Sequence, residues 1–369
     1  MPKIVWRSAI LMSVLPILAG VLLYQLDSFD PGAYPEELSD EKEEVGALFI
    51  PRQNPHMLRG SEKIGNGELL APEDIAFHPK TGLIYTGCGD GWVTRVSIND
   101  SAVEKWVNTG GRPLGIVHGL HGEVIVADAH KGLLNISGDG AIELLTDEAE
   151  GLKFKLIDAV DIGPDGTLYF TDASYKYDIK DNLFDLLEGR PHGRFLSYDP
   201  STKHTHVLVR DLYFANGVAV SSDQSFVIFC ETAMRRCKKY YIQGEKKGSV
   251  DIFIENLPGL PDNIRYDGEG QYWVALTTEN YLWELLQRYP FMRKVVAILE
   301  SYKLRPNTEK NGGVIAVDLD GKPTSHYYDH DAFMTTTGIK IGEHLYFGSI
   351  VLPYIIRLNV SRYPATPAA

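Results

Sequence analysis

The sequence predicts an all-β fold, a six-bladed β-propeller preceded by an N-terminal membrane anchor or signal helix. Two observations carry this. A strand–turn–strand unit recurs along the chain, with most starts roughly 40 to 60 residues apart, the period of a four-stranded blade. From about Ala47 onward, the short apolar runs are bounded by Gly, Asp, Asn and Pro, with little sign of a helical period.

The units can be taken in order. Ala71-Pro72-Glu73-Asp74-Ile75-Ala76-Phe77 turns through Pro79-Lys80-Thr81-Gly82 into Leu83-Ile84-Tyr85-Thr86. Asp158-Ala159-Val160-Asp161-Ile162 turns at Gly163-Pro164-Asp165-Gly166 into Leu168-Tyr169-Phe170-Thr171. Phe214-Ala215-Asn216-Gly217-Val218 turns at Ser222-Asp223 into Phe226-Val227-Ile228-Phe229. Leu260-Pro261-Asp262-Asn263-Ile264 turns at Asp267-Gly268 into Gln271-Tyr272-Trp273-Val274-Ala275. Further starts fall near Arg112 and Thr336, giving six. The long interval before Thr336 holds the one good helical pattern, from Tyr281 to about Leu299, an insertion between strands. A ring of six needs a strand to join its ends, and Glu62 to Leu70 is placed to complete the last blade.

A chain of 369 residues with 44% apolar content can bury a large core. The net charge of −13 argues against nucleic acid, which needs a basic surface. The acidity is spread along the chain, as expected of a solvated surface with room for local cation-holding clusters. Residues 8–24 are uncharged and apolar, with Lys3 and Arg7 before them and Asp27, Asp30, Glu36 and Glu37 after. That length is short for a span and long for a signal-peptide core, and no clean small-x-small cleavage site follows. The reading is an uncleaved signal-anchor (residues 1–25), a linker and edge segment (26–60) and the propeller (61–369). The charge bias puts the body outside the cytosol, as a type II protein of the secretory pathway in the endoplasmic reticulum, vacuole or plasma membrane.

Sequons at Asn99, Asn135 and Asn359 agree with a lumenal body. Cys230 and Cys237 flank what reads as a hairpin turn, Glu231 to Arg236. They are expected to pair if the compartment is oxidising and to stay reduced in the cytosol. Cys88, between glycines, reads as a buried free thiol.

In a propeller the first strand of each blade lines the central channel, so residues at its mouth converge from distant parts of the chain. Glu73, Asp158, Asn216 and Asp262 hold equivalent places in four units, and Asn263 adds a fifth oxygen. Such oxygens suit a hard cation, Ca²⁺ above all, and the lack of clustered Cys and His argues against structural zinc. Any one of them alone would be an ordinary turn-former. Four in register are the signal.

Arg112-Pro113-Leu114-Gly115, Ala127-Asp128-Ala129-His130-Lys131-Gly132-Leu133, Tyr169-Phe170-Thr171-Asp172, Gly193-Arg194-Phe195-Leu196-Ser197-Tyr198-Asp199 and Ala215-Asn216-Gly217-Val218-Ala219 resemble the strictosidine synthase-like proteins. The resemblance covers roughly residues 60 to 360. The apolar N-terminus and Leu257-Pro258-Gly259-Leu260-Pro261-Asp262-Asn263 look like the branch that includes the adipocyte plasma membrane-associated protein, and the overall style like the plant members. The resemblance implies a six-bladed propeller, a fold shared with paraoxonases and gluconolactonases. It implies calcium ligands at Glu73, Asn216, Asp262 and Asn263, with Asp158 standing where those relatives have Asn. One departure matters. Strictosidine synthases carry a catalytic Glu at the start of the sixth blade, whereas this chain reads Met334-Thr335-Thr336-Thr337-Gly338, so Thr337 or a neighbour takes its place. Threonine is no base near neutral pH, so amine–aldehyde condensation is disfavoured.

The function expected is therefore a Ca²⁺-dependent hydrolase of esters or lactones, arylesterase-like. His130 is the best base among His118, His121 and His130, with Asp158 or Glu73 as alternatives. No Gly-x-Ser-x-Gly elbow points to a serine hydrolase. The alternative is a non-catalytic propeller that binds a hydrophobic ligand or a partner.

Overall fold

The computed structural model describes residues 18–35, 48–278, 281–306 and 309–368. Lys3, Arg7, the first half of the apolar segment and the acidic stretch 36–47 lie outside the described residues. Six antiparallel sheets follow one another along the chain, and each begins with the strand the repeat marks: Ile75–His78, Pro113–His118, Ile157–Ile162, Ala215–Val220, Pro261–Tyr266 and Thr335–Ile341. These are the innermost strands of a six-bladed propeller, blades 1 to 6. The Asp residues of the turns accept local N–H groups: Asp165 from Thr167 (3.0 Å), Asp223 from Ser225 (3.0 Å), Asp267 from Glu269 (2.7 Å). This is why Asp recurs there.

Blade 6 is closed as expected. Glu62–Ile64 pairs antiparallel with Ile355–Asn359, Glu62 opposite Arg357, so the two ends of the chain share one sheet. The edge segment contributes more than a linker. Arg52–Asn54 lies parallel to Pro323–Tyr328, the fourth strand of blade 5, and is covered in turn by Thr366–Pro367. The propeller sheets therefore begin before residue 61.

Apolar side chains of adjacent blades interdigitate. Ile125, Ala127 and Leu133 of blade 2 pack with Ile157, Val160, Phe170 and Leu196 of blade 3. Each of the larger ones, from Val160 to Phe170, contributes about 1.5–3 kcal/mol. In blade 4, Phe226–Glu231 and Arg236–Tyr241 set Cys230 opposite Cys237 with Cα atoms 3.9 Å apart, and a disulfide joins them. Cys88 is free and buried.

The inserted helix is two helices, Tyr281–Arg288 and Pro290–Ser301, between the second and third strands of blade 5. Pro290 lacks an N–H to continue the first helix and suits the first turn of the second. A further short helix, Asn182–Glu188, follows the second strand of blade 3 and has no counterpart in the sequence reading. The described residues fall into two compact units. The small one combines residues 18–35, Leu186–Arg190 and 281–306, and includes a helix at 18–26. The large one holds the six blades. Among the described residues no helix is long and apolar enough to cross a membrane.

Candidate metal centre

Each innermost strand of blades 2 to 6 carries the same irregularity one residue in. Pro113, Ile157, Ala215 and Pro261 pair with the second strand, two residues bulge, and pairing resumes at Ile116, Val160, Val218 and Ile264. Blade 6 repeats this with Thr335 paired and Thr336 bulged. In blade 1 the Glu73 N–H bonds Gly87 O and pairing begins at Ile75. A β-bulge breaks the two-residue alternation and re-aims a side chain. Here it gives a ring of six positions: Glu73, Leu114, Asp158, Asn216, Asp262 and Thr336.

The bulges are pinned from the neighbouring blade. The Thr171 hydroxyl donates to Asn216 O (2.8 Å), Thr232 to Pro261 O (2.7 Å) and Thr336 to Glu73 O (2.7 Å). The following position is kept small where blades approach closely. A Cβ on Gly115 would stand 2.5 Å from Asp158 O, and one on Gly217 2.3 Å from Asp262 O. The Asn-Gly of blade 4 thus reflects backbone approach as much as turn chemistry.

Four ring positions offer carboxylate or amide oxygen, as the sequence indicates, and the Thr336 hydroxyl is spent on Glu73 O. Carboxylate oxygens of Glu73, Asp158 and Asp262 lie within 4.8 Å of one another, and all three residues are buried. This is the one group of its kind among the described residues. Asn263 donates Nδ2 to Glu73 Oε1 (2.6 Å), which leaves its own Oδ1, Glu73 Oε2 and Asn216 Oδ1 buried without partners. Burial, aided by the Asp158 charge, raises the Glu73 carboxyl to about 8. Burial raises Asp158 to about 7. Burial, then the charge of Glu73, pushes Asp262 well above the usual carboxylate range. Three converging carboxyls and the two orphaned amide oxygens of Asn216 and Asn263, with no sulfur or imidazole among them, form the donor set of a hard cation. The residues fit calcium.

Two arginines complete the centre, and the sequence reading gave neither a site role. Arg112 is buried, donates to Pro113 O (3.0 Å) and Ala71 O (3.2 Å), and sets a positive charge near Glu73 and Asp158. Arg265 grips Asp74 through Nε (3.0 Å) and Nη2, and reaches Val160 O (3.3 Å) and Ile116 O (3.1 Å). The Thr337 hydroxyl adds a bond to Asp74 (3.0 Å). This buried ion pair ties five blades together immediately behind the ligand ring. A cavity of about 550 Å³ lies at the far ends of the same strands, lined by Ile116, His118, Asp161, Arg265 and Tyr266 among others, and by none of the ring oxygens.

The candidate bases separate. His118 ends its strand, at the other end from the bulge. It is pushed down to about 4 by burial and by His78, with which it makes an edge-on contact. His121 is exposed in the turn beyond. His130 stands at the ligand end, exposed, in the turn after Val124–Asp128, its N–H bonded to Asp128 Oδ1. A second histidine stands at that end, and no sequence motif signals it. His192 is buried, and its Nδ1 meets Asp185 at 2.8 Å just before the strand Gly193–Asp199. Where the resemblance puts the missing Glu, blade 6 carries Thr336 at the bulge and Thr337 after it, and both hydroxyls are spent on blade 1. Of the three sequons, Asn99 is exposed in a turn, Asn135 lies mid-strand with a buried Oδ1, and Asn359 accepts from Arg362 N–H.

Comparison with known proteins places this site in context. Residues 158–245 match the strictosidine synthase family model, and residues 54–96 match the N-terminal model of strictosidine synthase-like proteins. Protein STRICTOSIDINE SYNTHASE-LIKE 6 of Arabidopsis thaliana is 55% identical over 95% of both chains. The adipocyte plasma membrane-associated protein of Gallus gallus is 34% identical over 82% of this chain and 79% of that one. Among solved structures, a gluconolactonase from Xanthomonas campestris aligns with a TM-score of 0.60 over 86% of this chain and 98% of its own, at 15% identity. A calcium-binding regucalcin from Agrobacterium tumefaciens aligns with a TM-score of 0.56 over 79% and 90%, at 14% identity.

Proposed function

Since the chain belongs to the strictosidine synthase-like family, we propose that it is a calcium-dependent hydrolase of esters or lactones rather than a condensing enzyme. The observation that carries this is the ring of buried oxygens at Glu73, Asp158, Asn216 and Asp262, supplemented by Asn263, three of whose oxygens lack partners. Those five residues would hold Ca²⁺, which when bound polarises a carbonyl and stabilises the oxyanion that develops on it. Arg112 keeps a second positive charge at the ring where blade 2 offers only Leu114. The water attacking the carbonyl needs a proton acceptor at this end of the channel. His130 and His192 are two imidazoles at that end, and Asp185 orients the second as a base is oriented in hydrolytic triads. Asp158 or Glu73 takes the proton if neither does. Condensation lacks its base, because the innermost strand of blade 6 starts with the Thr335, Thr336 and Thr337 hydroxyls and no carboxylate.

The body is proposed to lie outside the cytosol behind an uncleaved anchor. The Cys230–Cys237 disulfide, which suits an oxidising compartment, and the exposed Asn99 sequon support this.

The test is phenyl acetate hydrolysis by the purified protein, with and without EDTA, beside Asp262→Ala. Turnover lost in both and restored to the wild type by Ca²⁺ is expected. Turnover indifferent to both would remove the metal centre from the mechanism. Bound calcium without turnover across an ester and lactone panel would favour a ligand-binding propeller.

A further inference from the structure

The second helix of the small unit is built with its polarity reversed. In Pro290–Ser301 the buried positions are Arg293 and Ala297, four apart, while Phe291 (57% exposed) and Val295 (43%), also four apart, face outward. The polar side chains serve as fasteners. Arg293 donates to Leu187 O (3.2 Å) and Gly32 O and covers the Tyr34 ring at 4.7 Å. Lys294 donates to Asp27 O (2.8 Å) and stands 4.9 Å from the Tyr24 ring centre. The hairpin is thus bound to the chain just after the helix at 18–26. That helix itself exposes Leu18, Val21, Leu22, Leu23 and Leu26. Roughly half of the exposed large apolar side chains among the described residues belong to this small unit. A helix apolar on its outer face needs an apolar neighbour.

We propose that this outer face, formed by Leu285, Phe291, Val295 and Leu304 with Tyr289 and Tyr302 beside them, lies in the interface of the lipid bilayer. Two features select lipid over a second copy of the chain. The helix at 18–26 is the end of the uncharged run 8–24 and exposes apolar side chains on nearly every side, which suits lipid rather than one protein partner. The exposed tyrosines are the residues that favour the headgroup level. The hairpin then fixes the tilt and depth at which the anchor leaves the membrane. This rests on the anchoring proposed above and not on the metal chemistry.

The experiment uses the full chain in phosphatidylcholine vesicles, with the environment-sensitive fluorophore NBD on Val295→Cys and, as control, on Leu319→Cys, an exposed site of the large unit. Shallow spin-labelled lipids are the quencher, and an alkaline carbonate wash reports anchoring. The expected result is blue-shifted emission at 295, quenched at least about threefold more than at 319. Equal quenching at both sites in carbonate-resistant protein overturns the inference and leaves the anchor standing. Protein released by carbonate overturns both. A shielded probe that lipid spin labels do not quench overturns it in favour of a second copy.

Discussion

The three carboxyls at the channel mouth predict an unusual pH dependence of stability. Each has a pKa raised on folding, so the folded protein binds more protons than the unfolded chain at neutral pH, and stability falls as pH rises. Buried His118 and His326, pushed down to about 4 and about 3, act in the opposite direction: their contribution rises with pH mostly below about 6.5, the midpoint of the unfolded imidazole. Above about pH 6.5 the last of the imidazole gain, about 0.8 kcal/mol for the pair, is cancelled by a similar loss from Asp158, raised to about 7. Glu73, raised from 4.5 to about 8, accounts for about 2 kcal/mol between pH 6.5 and 8, and Asp262 adds in the same direction. For a unit of this size roughly 1.5 °C corresponds to each kcal/mol, so the melting temperature in EDTA should fall by about 3 °C or more. Calcium holds the same carboxyls ionised, so in millimolar Ca²⁺ the fall should vanish and the whole curve should rise. Asp262→Asn removes one charge without changing shape. It should flatten the EDTA curve, raise it near pH 8, and lose the response to calcium. Scanning fluorimetry at several pH values in both buffers measures all of this. A wild-type EDTA curve that is flat above pH 6.5 and coincides with that of Asp262→Asn would refute the reasoning.

Three further outcomes follow from the same geometry. Arg265→Met strands the Asp74 carboxylate and should cost about 3–5 kcal/mol, much of it recovered in Asp74→Leu/Arg265→Met, as urea unfolding of the single and double variants would show. Gly217→Ala drives a methyl towards Asp262 O, so it should cost about 1–3 kcal/mol and weaken calcium binding in isothermal titration, whereas Gly138→Ala, with open space around its Cβ position, should leave calcium affinity unchanged. If ester turnover is found, His192→Gln and His130→Gln identify the base. The base variant should lower kcat by about 10²–10⁴-fold and remove the acidic limb of the pH profile, and the other should leave both in place.

The propeller was legible because its evidence is periodic. Six strand starts, Asp-centred turns and a spare segment from Glu62 to Leu70, of which Glu62–Ile64 forms the closing strand, each repeat or close a pattern, and one residue of error in any of them changes nothing. Elements outside the repeat were read less well. The break at Pro290 divides what the apolar period presents as one helix, and Asn182–Glu188 is too short for a period to show. Arg52–Asn54 adds to blade 5 through a parallel pairing with a strand some 270 residues away, which no local pattern signals.

The centre was half legible, for a physical reason. Asp158, Asn216 and Asp262 share a register, and register is a property of sequence, so their convergence could be inferred once the ring was. The bulge that turns them inward leaves a weaker trace, the small residue that follows at Gly115, Ala159 and Gly217, whose spacing from the neighbouring blade explains it only in three dimensions. Arg112 and Arg265 left less still. Each lies near a carboxylate supplied by another blade, Arg265 against Asp74 across 191 positions, and a long side chain reaching that far has no fixed spacing to its partner. An observable hint did exist. Arg265 follows Ile264 on a strand whose neighbours are buried, and a charge placed among buried positions requires an opposite charge nearby. Asp74, beside Glu73 at the start of another innermost strand, was the carboxylate left without a task. The pairing of those two would have followed from asking where each buried charge is neutralised, in addition to asking which residues resemble ligands.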